Sequence, residues 1–188
     1  MSSNGIVVRR LRADEVRASL NALGDVLFDC VDGGASVSFM DPFTHDDAVA
    51  FFAGLLPEIE RGTRMLVAAY EGEALIGTVQ MIHAGPPNQP HRGDIAKLLV
   101  RRSARGRGVA ARLMEQVEAD ARAEGKTLLV LDTVTGSTAE RLYTRLGWQR
   151  VGVIPDYALY PDGRLCDTTV FWKRICPESA LPRGGPSE

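Results

Sequence analysis

Two kinds of apolar spacing alternate along the chain. Short runs rich in β-branched and aromatic residues predict strands at 5–11 (GIVVRRL), 63–70 (TRMLVAAY), 74–84 (ALIGTVQMIHA), 94–100 (DIAKLLV), 127–133 (TLLVLDT), 148–157 and 167–174. Between them the apolar positions follow a helical period. Val16, Leu20, Leu23 and Leu27 predict a helix from about Asp14 to Cys30. Val49, Phe52, Ala53, Leu56 and Ile59 predict a second, which Thr44 caps, Pro57 kinks or divides, and Gly62 ends. Ala110, Leu113, Met114, Val117 and Ala121 predict a third over 109–124, and Gly136-Ser137-Thr138 opens a fourth that Gly147 closes.

The connections are equally legible. Glu71-Gly72-Glu73 joins two strands as a hairpin, and the three prolines of 85–93 exclude a strand there. His83 and His91 frame that loop and read as surface histidines. Residues 32–43 break every periodicity yet carry Phe39, Met40 and Phe43, which either staple the first two helices together or wall a ligand pocket. A strand at 94–100, a helix and a strand at 127–133 make a crossover, hence a parallel pair whose carboxyl ends open on a cleft.

Composition narrows the class. One domain over residues 1–176 with a flexible tail at 177–188 suits a chain of 188 residues. A net charge of −2 argues against a nucleic-acid partner, so the arginines at 101, 102, 105 and 107 look like a site for one small polyanion. Cys30, Cys166 and Cys176 are odd in number and widely spaced, which points to reduced thiols in a cytoplasmic protein and to no metal site. No segment approaches the roughly 18 apolar residues of a membrane span, and no membrane partner is expected.

The centre of the chain carries the chemistry. Arg105-Gly106-Arg107-Gly108-Val109-Ala110 places two residues without Cβ between a strand and a helix N-terminus, where free N–H groups and the helix dipole favour an anion such as a pyrophosphate. No Gly-Lys-Ser/Thr follows and the spacing is not Gly-x-Gly-x-x-Gly, which weakens ATP and NAD as ligands. Val100 followed by Arg105-x-x-Gly108-x-Ala110 resembles the acyl-CoA signature of the GNAT N-acetyltransferase superfamily. The resemblance covers roughly 5–175. It implies an α/β, mixed but mostly antiparallel sheet of six to seven strands with a central parallel pair, flanked by about four helices. It also implies acetyl-CoA as cofactor, with Leu98, Leu99 and Val100 along the pantetheine arm, Arg105, Gly106, Arg107, Gly108, Val109, Ala110 and Ala111 on the phosphates, and Ser137 and Tyr143 completing the coenzyme site.

Acetyl transfer to an amine needs a base, because alkylamines ionise near 10.4, and a weak acid for the departing thiolate. Asp132 ends an apolar strand where a carboxylate reaches the cleft and is expected to be desolvated; it caps a turn otherwise. Asp94 begins the neighbouring strand and is either a second base or simply paired with Arg92. Tyr143 by periodicity alone reads as core. Its setting, Ala139-Glu140-Arg141-Leu142-Tyr143-Thr144-Arg145-Leu146-Gly147-Trp148, resembles the family's Ala-x-x-Leu-Tyr-x-x-x-Gly-Phe block, whose tyrosine is the general acid. Gly136 stands where many relatives carry Asn, so no side-chain contact is expected from it.

More closely, 33–39 (GGASVSF), Arg92-Gly93-Asp94, Leu131-Asp132-Thr133 and 155–164 resemble the tabtoxin-resistance acetyltransferases, which acetylate the amine of a β-lactam dipeptide toxin. That implies a small-molecule amine acceptor bound by Phe39, Asp94 and Asp132, and direct attack, since no cysteine sits in a nucleophile's context. A non-catalytic acyl-CoA sensor, or an acetyltransferase of protein N-termini or lysines, is the alternative; a monomer or a homodimer is expected.

Overall fold

The computed structural model describes residues 5–175. The expected tail at 177–188 lies outside them. Seven strands, β1 (Ile6–Leu11), β2 (Arg64–Glu71), β3 (Ala74–His83), β4 (Arg92–Val100), β5 (Leu128–Val134), β6 (Gln149–Leu159) and β7 (Leu165–Arg174), form one sheet in the order β1-β2-β3-β4-β5-β7-β6. All neighbours are antiparallel except β4 and β5. The mixed sheet with a central parallel pair is therefore what forms.

Six helical segments flank it: α1 (Ala13–Ala18), α2 (Leu20–Asp32), α3 (His45–Gly54), α4 (Leu56–Glu60), α5 (Val109–Ala123) and α6 (Thr138–Arg145). They are the four predicted stretches, two of them divided. The first breaks at Ser19, whose backbone leaves the helical region (φ −106, ψ 9) and donates to Val16 O. The second breaks at Leu55, just before Pro57, which has no N–H to continue the ladder. Thr44 caps α3 as expected: its Oγ1 accepts from Asp47 N at 3.1 Å, and its own N–H donates to Asp47 Oδ2 at 2.9 Å.

The sheet is buried on both faces around β2. Met65, Val67 and Ala69 point to one apolar layer with Val109, Leu113, Met114 and Val117 of α5, while Leu66 and Ala68 point to the other with Leu23, Val26 and Leu27 of α2 and Phe52 of α3. Burying each such side chain contributes roughly 1.5–3 kcal/mol, so both helical layers are anchored by the hydrophobic term. One polar group is fixed inside the first layer. Glu118 of α5, 5% exposed, accepts from Trp148 Nε1 at 3.0 Å and from Lys173 Nζ of β7 at 2.7 Å.

Strand β5, expected to be apolar on both faces, buries Leu129 and Leu131 but leaves Val130 half-buried and Asp132 exposed. Asp132 is exposed because β4 and β5 pair only over Arg92–Asp94 and Leu128–Val130 and then part. Removing the buried acid exposes how much this polar clamp matters. Glu118→Ala should lower unfolding stability by about 3 kcal/mol, because it strands the Lys173 ammonium and the Trp148 N–H; denaturant unfolding near pH 7 measures it.

Candidate active site

A V-shaped cleft of about 960 Å³ opens where β4 and β5 diverge. Residues 95–100 of β4 form one wall and residues 132–137, at the end of β5 and the turn into α6, form the other. Beyond Asp94 the backbone groups of β4 that would pair with β5 have no strand opposite them, so they face the cleft.

The glycine turn closes one end. After Val100 a 3₁₀ turn (Arg102–Ala104) leads into Gly106 and Gly108, both with positive φ (75 and 78), and Gly108 is the N-cap of α5. No side chain caps that helix, and its first backbone bond is Arg112 N to Gly108 O at 3.2 Å. The amides of residues 106–111 thus converge without backbone partners at the positive end of a 15-residue helix. A Cβ built on Gly106 or Gly108 meets nothing within 4 Å, so the space above the turn is open to a bulky anion.

The arginines behave differently from the expectation that they flank the anion with free charge. Arg101 donates to Asp25, Arg102 to Asp29 and Asp32, and Arg107 to Glu71. Arg105 turns back to Val100 O (3.2 Å) and Cys30 Sγ (3.8 Å). Four acids from α2 and β2 therefore neutralise three of the four guanidiniums, and the anion site rests on amides and dipole. Arg107 is also absent from the cleft's lining, whereas the other predicted phosphate and pantetheine positions line it.

Deeper in the cleft lie the titratable groups. Tyr143 of α6, 5% exposed, lies against Trp148 and Phe171 with ring centroids 6.0 Å from each. The left-handed Gly147 (φ 80) makes this possible by turning the chain so that Trp148 N reaches Tyr143 O at 3.0 Å. Burial, and then the charge of Asp132, hold the Tyr143 phenol above its ordinary value, so it stays a neutral donor. Asp132 lines the opposite wall; buried Thr168 of β7 donates to its Oδ2 at 2.9 Å. Expected to be desolvated, Asp132 is instead exposed, because the parting strands admit solvent.

The remaining predicted residues take other positions. Asp94 bonds to Arg92 Nη1 at 2.5 Å and does not line the cleft. Phe39 packs on Phe43 and Phe51 (centroids 4.6 and 5.3 Å), stapling the 32–43 loop to α3 behind the cleft wall. Ser137 lines the cleft but spends its hydroxyl capping α6, accepting from Glu140 N at 3.1 Å. His83 bonds to Glu124 of the α5 region at 2.7 Å.

Comparison with known proteins bears on this geometry directly. Residues 34–148 match the model of the acetyltransferase (GNAT) family. The chain belongs to that family. It is accordingly an N-acetyltransferase, with acetyl-CoA as its co-substrate. Solved structures share its fold. The Salmonella typhimurium protein yncA, solved with its cofactor acetyl-CoA, superposes with a TM-score of 0.76 at 16% identity, covering 96% of this chain and 100% of that one. A candidate phosphinothricin N-acetyltransferase gives 0.75 at 17% (92% and 100% covered), and a ribosomal-protein-alanine N-acetyltransferase from Brucella melitensis gives 0.73 at 18% (89% and 99% covered).

The residues of this GNAT enzyme fit acetyl-CoA by the two features just described: orphan amides around an open glycine turn for the diphosphate, and unpaired β4 backbone for the amide-rich pantetheine arm. Two groups in the cleft escaped the sequence reading. Thr168 reaches Asp132 only through the β5–β7 register and left no signal. Lys97 did leave one, a single charge inside the apolar run 95–100. It sits at a bulge where β3 and β4 lose register and has φ +52, so the strand's apolar face switches between Ile95 and Leu99.

The turn generates a sharp expectation. Gly108→Val, which forces a β-branched side chain into left-handed backbone and into the open space above the amides, should weaken coenzyme A binding about tenfold or more. Calorimetric titration of the folded variant with coenzyme A checks this.

Proposed function

We propose that this enzyme acetylates the amine of a small molecule, an amino acid, dipeptide or antibiotic-like or toxin-like acceptor, by direct attack in the cytoplasm. The supporting observation is the roof over the acceptor end of the cleft. Ser36 Oγ donates to Leu159 O at 2.7 Å and Asp41 N donates to Pro161 O at 3.0 Å, so the 32–43 loop and the β6–β7 hairpin meet across it. A bridged roof favours an acceptor that is enclosed over one that lies in an open groove. The resemblance of 33–39, 92–94, 131–133 and 155–164 to the tabtoxin-resistance acetyltransferases points the same way. Fold alone is neutral, since proteins named for a small-molecule acceptor and for a ribosomal protein superpose equally well.

Bound acetyl-CoA supplies an activated acetyl thioester. In this reading the chain's own groups do the following. The amides of 106–111 hold the diphosphate, and the open backbone of 98–100 orients the arm and stabilises charge on the carbonyl oxygen. Asp132, steadied by Thr168, attracts the ammonium of the acceptor and takes its proton directly or through water; Asp94 enters only if it releases Arg92.

Tyr143 then serves the departing sulfur. With a phenol at or above 10 and a thiol near 8.5, complete transfer runs uphill by about 2 kcal/mol or more, so the hydroxyl stabilises the thiolate as a hydrogen-bond donor while the proton from the amine follows. Cys30 also lines the cleft, but burial pushes its thiol up and away from the nucleophilic thiolate, consistent with direct attack.

A thiol-release assay with acetyl-CoA against amines, amino acids, dipeptides and peptides with free N-termini tests the acceptor class; strong preference for long peptides would overturn the small-molecule reading. Tyr143→Phe keeps the ring packing and should lower turnover tenfold or more with coenzyme binding retained. The sign of the pH dependence follows from the raised phenol. The acid form of Tyr143 is lost only above pH 10, so turnover should climb with pH from 6 to 9 as the acceptor amine deprotonates, levelling off only at that amine's own ionisation. A steep fall below pH 9 in the pH–rate profile would remove Tyr143 from that role.

A further inference from the structure

Resting on the small-molecule amine reading, we infer that Lys97 is the specificity-determining residue of the acceptor pocket: its ammonium binds an acidic group, a carboxylate, carried by the acceptor. Lys97 lines the cleft from the β4 wall, with its Nζ donating to Val37 O at 2.8 Å and Ser38 Oγ at 2.9 Å. It lies over the rings of Phe39 and Phe51, 5.6 and 5.9 Å from their centroids. An ammonium has three donors, and two are taken by neutral oxygens.

Among the described residues no carboxylate comes within ion-pairing distance of it. The contrast within this fold is plain. Lys173, which reaches into the first apolar layer, is paired with Glu118, and Arg101, Arg102 and Arg107 of the glycine turn are matched to Asp25, Asp29, Asp32 and Glu71. Lys97 instead pays desolvation without an ion pair; that burial, with Arg64 adding to it, draws its pKa down against the pull of Asp132. A half-buried cation with a donor to spare, facing a cavity, is stabilised by an anion that arrives with the ligand.

Its position selects which ligand. Lys97 on β4 and Asp132 on β5 face one cleft from opposite walls, and each perceives the other's charge without touching it. The pair therefore matches a zwitterion: Asp132 receives the ammonium that is to react, and Lys97 receives a carboxylate on the same molecule. Loop 36–38, which holds Nζ, also forms part of the roof through Ser36 and Leu159, so the anion lies at the closed end of the pocket. The strand bulge is what aims this side chain there, since regular alternation would turn Lys97 toward the α5 layer with Ile95.

The test uses matched pairs that differ by one carboxylate: L-lysine and cadaverine, L-tyrosine and tyramine, L-histidine and histamine, and dipeptides with their C-terminal amides. The wild-type enzyme should favour the carboxylate-bearing member about tenfold to hundredfold in kcat/KM. Lys97→Met, which keeps the stem's packing, should abolish that preference through KM, leave the KM for acetyl-CoA within about twofold, and Lys97→Arg should restore part of it. Binding gives an independent readout. N-acetyl-L-tyrosine should bind coenzyme A-saturated wild-type protein more tightly than N-acetyltyramine, with the difference lost in Lys97→Met. Equal use of both members of every pair, or a preference that survives Lys97→Met, overturns the role of Lys97 while leaving the amine acetyltransferase reading intact. Failure of every amine in the panel to release thiol overturns that reading itself.

Discussion

Everything functional in this molecule follows from the failure of two strands to stay together. β4 and β5 share three residue pairs and then separate, leaving one wall of the resulting cleft lined with backbone that has no partner strand. Unpaired buried amides and carbonyls are costly in a finished sheet, so such a gap persists only where it is held apart and where a ligand or solvent can satisfy it. Here it is held by packing on both sides: α5 presses β3 and β4 from one face, and α2 with the 32–43 loop presses from the other.

The same parting distributes the chemistry. β4 brings Lys97 to one wall, β5 brings Asp132 to the other, and α6 sets Tyr143 at the base between Trp148 and Phe171. These three groups come from distant parts of the chain, yet Asp132 influences the protonation of both others. Asp132 stays exposed while Tyr143 is buried, an arrangement that suits the roles of base and acid proposed for them.

Electrostatics at the other end of the cleft follow a different logic. Local sequence suggests an arginine-rich phosphate site, but the fold pairs Arg101, Arg102 and Arg107 with acids from α2 and β2. Those exposed or half-exposed pairs are worth little individually; together they fasten the turn to α2 and β2. What the turn offers the proposed diphosphate is a set of amides whose direction is imposed by Gly106 and Gly108, a rigid donor array that needs no side chain to reorganise.

How far the chain could be read in advance depends on the range of the interaction involved. Helix faces, the hairpin at 71–73, the cap at Thr44 and the glycine turn were legible because each is specified by residues a few positions apart. The family likeness was legible for the same reason: its motif is one turn and its flanks. The division of the second helix at Leu55 was legible in Pro57, whereas the break of the first at Ser19 was not. The tyrosine's place depended on resemblance, since its period alone reads as core, and in the fold it is both core and cleft lining. The pairing of Asp94 with Arg92, two residues away, was one of the two readings the sequence offered. Only the tertiary structure could decide that Thr168 steadies Asp132 across the β5–β7 register, and that a bulge turns Lys97 into the pocket without a counter-charge. Those outcomes arise from contacts between segments far apart in sequence, and no periodicity along a single chain encodes which distant charge will be met and which will be left waiting.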